Sequence, residues 1–138
     1  MGEPKLITMQ TPTLQSQLLF TDDSDFAAHW LSMAEQSNYA VTRCSEIFAA
    51  QTALAHVLPE TVVVDLDSTG EQGWQLINTL RGPNSDIDFP WIIALQSNIG
   101  VNEVDVAMGA GINDIIRKEG GLDVYKKALM EADCVRHE

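Results

Sequence analysis

Five short apolar runs, each followed by a helically spaced stretch, constrain this chain most. The runs are Gln17 to Thr21, Tyr39 to Arg43, Thr61 to Asp65, Trp91 to Leu95 and Asp114 to Arg117. Four or five residues is the length of a strand, and Thr61-Val62-Val63-Val64 is β-branched, as a strand buried on both faces should be. Ser24 can cap a helix from Asp25 to about Gln36 with Phe26, Trp30, Leu31 and Ala34 on one face. Ser45 can cap the next, in which Ile47, Ala50, Leu54 and Val57 are helically spaced and which Pro59 ends. A loop with Gly70 and Gly73 leads to a short helix with Trp74, Leu76, Ile77 and Leu80, broken by Gly82-Pro83-Asn84. Val101, Val104, Ala107 and Met108 mark a fourth helix, closed by Ala110-Gly111, and Leu122 to Ala132 is the last. Strand-helix alternation of this kind predicts an α/β fold: a doubly wound parallel sheet, helices on both faces, right-handed crossovers.

The 138 residues suit one domain: a tail over 1–16, a folded unit over 17–132, and a tail or linker start over 133–138. No apolar run approaches the ~20 residues that span a bilayer. The opening MGEPKLITMQ lacks the basic-then-apolar order of a signal peptide. Cys44 and Cys134 suggest neither a disulfide framework nor a metal site, so a reducing cytoplasm is expected. A net charge of −12 argues against direct nucleic-acid binding, which needs a basic face, and otherwise serves solubility.

The ends of three runs carry charge. Asp22-Asp23 follow the first, Asp65 closes the third, and Lys118 follows the fifth. In a parallel sheet these lie at the strands' carboxyl ends, where open α/β sheets place their chemistry. Singly, each has an ordinary reading: a turn or cap for the pair, a capped loop for Asp65, a solvated lysine for Lys118. Together, three carboxylates and an ammonium read as a divalent-metal and phosphoryl site, because a carboxylate can be a nucleophile toward phosphorus. Asp67 competes with Asp65 for that role. Asp22, Asp23 and Asp65 are expected to converge, with like-charge repulsion raising at least one pKa. His29, His56 and His137 show no metal spacing. Trp30, Trp74 and Trp91 read as packing aromatics, and no GxGxxG or Walker pattern occurs.

Three segments, LLFTDDSDF, VVVDLDSTGEQGW and AGINDIIRK, resemble the receiver domain of bacterial two-component response regulators, over roughly residues 17 to 132. They match its acidic pair, its acceptor aspartate with a glycine eight residues on (Gly73 after Asp65), and its Ala-Gly turn, fifth strand and terminal lysine. The resemblance implies a flavodoxin-like (βα)5 sheet in strand order 2-1-3-4-5. It implies that Asp65 accepts a phosphoryl group from a histidine kinase or histidine phosphotransfer protein, and that Lys118 contacts a phosphoryl oxygen. It implies Mg2+ held by Asp23 and Asp65, by the backbone carbonyl of Asp67, and by Asp22 through water. Such a domain is a signalling module rather than an enzyme. It serves an effector domain or protein partner, works without a membrane, and is compatible with a homodimer.

The departures bear on the output. The family's switch hydroxyl falls on Gln96, with Ser97 as a neighbouring substitute; its switch aromatic falls on Ile115; its two prolines fall on Glu119 and Thr69. Asp22, Asp23, Asp65 and Lys118 favour a phosphorylatable receiver. Gln96, Ile115 and Glu119 favour a pseudo-receiver, an interaction module independent of phosphorylation. A flavodoxin-like cofactor binder is disfavoured, since Asp22-Asp23 would repel an anionic cofactor.

Overall fold

The computed structural model describes residues 15–82 and 89–136, with side chains described to 134. Five parallel strands are β1 (Gln15–Phe20), β2 (Tyr39–Cys44), β3 (Thr61–Asp65), β4 (Trp91–Gln96) and β5 (Asp114–Arg117). Six helices accompany them: α1 (Ser24–Gln36), α2 (Ile47–His56), α3 (Leu66–Thr69), α4 (Glu71–Leu80), α5 (Val101–Gly109) and α6 (Leu122–Arg136). The sheet order is β2-β1-β3-β4-β5, as the resemblance implies, and all pairs are parallel, as the strand-helix alternation predicts.

Strand alternation splits the core. Leu18, Phe20, Val62, Val64, Ile92 and Ala94 face Ala50, Leu76, Ile77, Leu80 and Ala107, burying α2, α4 and α5 on one side. Leu19, Val63, Ile93 and Leu95 face Phe26, Trp30, Met33, Tyr125 and Leu129, burying α1 and α6 on the other. The central strands are apolar on both sides because both faces are covered.

Several expectations shift. Asp23, not Ser24, caps α1, accepting from Phe26 N–H at 3.0 Å. Glu46, not Ser45, caps α2, accepting from Ala49 N–H at 2.7 Å. In both cases a carboxylate is the stronger acceptor for an orphan N–H. Leu31 is half-buried and belongs to neither side of the core, while Ala27 and Met33 are buried, and Val57, Val101 and Met108 are exposed. The segment after Asp65 is the one-turn helix α3 rather than a loop, and Gly73 lies inside α4. A Cβ at Gly73 would lie 3.0 Å from Leu66 Cδ2 and Val64 Cγ1, and nearer still to Thr69 Oγ1, so the residue must be glycine for α4 to meet α3. The strand β1 starts at Gln15, and α6 runs to Arg136. Of the predicted breaker, Gly82 is described; Pro83 and Asn84, like residues 1–14 and His137, lie outside the described residues.

Candidate functional site

Register builds the site. Leu19 pairs with Val63 and Phe20 with Val64, so the next step sets Thr21 beside Asp65. Asp65 and Thr21 share the face of Val63 and Leu19, toward α1 and α6. Asp65 is fully buried. Its Oδ2 accepts from Thr21 Oγ1 at 2.7 Å and Ser68 Oγ at 2.9 Å. The Lys118 ammonium lies 2.9 Å from the same oxygen and 2.8 Å from Asp23 Oδ2. Asp65 Oδ1 is buried and has no hydrogen-bond partner among the described residues.

Each hydroxyl also accepts. Asp22 N–H donates to Ser68 Oγ at 2.9 Å, and Asp23 N–H donates to Thr21 Oγ1 at 3.1 Å. A hydroxyl has one proton, so accepting from the backbone leaves that proton for Asp65. The two hydroxyls therefore relay the backbone of the acidic pair to the buried carboxylate.

Lys118 follows β5, two strand positions from β3, and its stem crosses the end of β4 to reach Asp65. Its N–H donates to the Gln96 carbonyl at 3.2 Å, Tyr125 Oη donates to its carbonyl, and its ammonium stands 5.5 Å from the centre of the Phe26 ring. Desolvation pulls the ammonium's pKa down, but the bonds to Asp23 and Asp65 together outweigh it and hold it above the ordinary lysine value. Lys118 also holds the Asp23 carboxyl below its ordinary value, helped by the Phe26 N–H.

Asp23, Asp65 and Lys118 thus come together as the sequence predicts. The expected convergence of three carboxylates does not occur: among the described residues no group of three acidic, histidine or cysteine side chains is arranged to hold a metal. Asp22 is exposed, and the ammonium stands between Asp23 and Asp65, so at Asp23 the pKa is lowered rather than raised. The donor chemistry still fits a hard divalent cation, since Mg2+ takes one or two carboxylates and keeps waters, and the unpartnered Asp65 Oδ1 is an oxygen of the right kind.

The Asp67 side chain turns away, accepting from Ser97 N–H at 3.2 Å and from Ser97 Oγ, which also contacts Glu119. Gln96 lines a cleft with Trp74, Asn102, Glu103 and Val106. Ile115 packs, half-buried, against the α2-α4-α5 core. His29 and His56 are exposed on helices, as expected. Sequence reasoning missed Thr21 and Ser68. The i, i+3 spacing of Asp65 and Ser68 would have revealed the latter had α3 been read as a turn of helix.

No family model matches the sequence, and no curated protein matches it. Solved structures do. The chemotaxis response regulator CheY4 of Vibrio cholerae superposes with a TM-score of 0.77 at 14% identity, covering 87% of this chain and 99% of that one. The BeF3-activated receiver domain of RstA from Klebsiella pneumoniae gives 0.73 at 20% identity, covering 85% and 97%. The chain has the receiver fold of response regulators. The receiver domain of a signal transduction histidine kinase from Syntrophus aciditrophicus gives 0.72 at 18% identity, covering 86% and 89%, so this receiver fold accounts for nearly the whole chain. No helix among the described residues is long and apolar enough to cross a membrane.

Proposed function

We propose that this chain is a phosphoryl-accepting receiver of two-component signalling, with Asp65 as the acceptor. The observation that carries the reading is one ammonium, Lys118, bridging Asp23 and the buried Asp65 at the carboxyl ends of the sheet. An Asp65 oxygen gives a lone pair to the phosphorus of a phosphoramidate, the phosphohistidine of a kinase or phosphotransfer protein. The O–P bond forms as the P–N bond breaks. The bonding pair returns to the imidazole nitrogen, which takes a proton from solvent. Lys118 offsets charge on the transferred oxygens, in keeping with a reaction that needs mainly positioning and neutralisation. Asp23 and Asp65 would hold Mg2+, with the Asp67 carbonyl and, through water, Asp22; the ion supplies neutralisation of the phosphoryl oxygens. The chain is a signalling module whose output passes through an effector or protein partner, and its acidity argues against direct nucleic-acid contact.

One observation favours the pseudo-receiver reading: Asp65 is fully buried. Incubation with phosphoramidate and Mg2+, followed by intact mass spectrometry, separates the two. One phosphoryl adduct in wild type and Asp67→Asn, and none in Asp65→Asn, is expected. No adduct in wild type favours the interaction module, and an adduct lost only in Asp67→Asn moves the acceptor to Asp67.

A further inference from the structure

Asp65 is fully buried, and one of the groups that cover it is small. We propose that Ser68 is a gate on Asp65, whose hydroxyl must swing aside before the carboxylate can take a phosphoryl group; the proposal rests on the acceptor reading of Asp65.

Asp65 shows none of its surface, and its Oδ2 already accepts from Thr21, Ser68 and Lys118. Oxygen lone pairs engaged by three donors are poor nucleophiles, and Oδ1 is buried as well. Of the covering groups, Thr21 is fully buried beneath the carboxylate, whereas Ser68 is half-buried at the rim. Ser68 is therefore nearer solvent than Thr21; Lys118, the third donor, keeps 14% of its side chain exposed but is held by its second bond, to Asp23. It rides on α3, a single turn held from below by Thr69 Oγ1 donating to the Asp65 carbonyl at 2.7 Å. Opening needs only rotation about the Ser68 Cα–Cβ bond, a fast motion that leaves the backbone in place.

Closure has its own bonds. The Ser68 hydroxyl accepts from Asp22 N–H and donates to Asp65, so it ties the loop after β1 to the turn after β3. Swinging aside releases both bonds, and the 3.2 Å contact with the Thr21 hydroxyl, at once. The closed form is the resting form, and the loading rate is scaled by the open fraction. Position 68 thus sets how readily the acceptor is loaded.

The test compares wild type, Ser68→Ala and Ser68→Thr. The metal-free proteins are treated with a carbodiimide and an amine, and labelling at Asp65 and at half-buried Asp114 is read by peptide mass spectrometry. Adduct formation from phosphoramidate with Mg2+ is timed in parallel. Ser68→Ala should raise Asp65 labelling and the adduct rate about tenfold, the size expected for losing one hydrogen bond to a charged group. Ser68→Thr, which keeps the hydroxyl, should stay near wild type. Equal Asp65 labelling in wild type and Ser68→Ala overturns the gate, whatever adduct forms. A rise at Asp65 and Asp114 together means general loosening and also overturns it. A rise at Asp65 alone with no adduct in any variant supports the gate and overturns the acceptor reading instead.

Discussion

Lys118 is one cation between two carboxylates in unlike surroundings. Asp65 is fully buried and Asp23 keeps 37% of its side chain exposed, so most of the stabilisation lies on the Asp65 side. Removing the ammonium leaves a buried charge with only two hydroxyl donors. Lys118→Met should therefore destabilise the fold by about 2–4 kcal/mol, and Asp65→Asn added to it should recover a large part. A double-mutant cycle by urea unfolding reads the coupling, which should be about 1–3 kcal/mol; additive effects would mean the two do not interact. The pH dependence follows from the same pair. The Asp23 pKa is lowered in the fold, so its contribution is full above the ordinary carboxyl range and is lost as pH falls through the lowered value. The Lys118 pKa is raised, so its contribution is full below the ordinary lysine value and fades only as pH rises through the raised one. Asp23→Asn keeps a capping oxygen for α1 yet removes the titration. It should flatten the acid limb of the stability profile, and an unchanged acid limb would count against the Lys118-Asp23 bond.

At the scale of elements, α3 and α4 position Asp65. The turn α3 aims Ser68 and Thr69 at Asp65, and α4 packs onto it through the bare backbone of Gly73. Gly73→Ala should cost about 1–3 kcal/mol by overpacking and should slow Asp65 phosphorylation more than a remote substitution of equal cost. A denaturation curve and an adduct time course check this together. The strands were legible because short β-branched and apolar runs leave few alternatives. The caps slipped by one residue, since Asp23-Ser24 and Ser45-Glu46 each offer two side chains able to cap. The turn α3 was not legible, because four residues show no helical period. With it went the Ser68 contact and the reason for the Gly73 spacing.

For the whole molecule, the order β2-β1-β3-β4-β5 turns scattered residues into one site. Positions 23, 65 and 118 meet because β1 and β3 are neighbours and a long lysine stem spans the end of β4. That much was legible from which runs ended in charge. Where the side chains go at the rim was not: Asp22 faces solvent, and the Asp67 side chain bonds Ser97. Such choices depend on competing donors across loops, which sequence spacing does not order. The same topology makes the central claim chemically specific, because the enclosed carboxylate, and no other, is the proposed acceptor. Borohydride reduces an acyl phosphate to the alcohol, which converts a phosphorylated aspartate to homoserine in place. Wild-type protein treated with phosphoramidate and Mg2+, reduced and mapped by peptide mass spectrometry, should carry homoserine at position 65 and keep aspartate at 22, 23 and 67. Homoserine at any of those three, or at none of the four, would contradict the account.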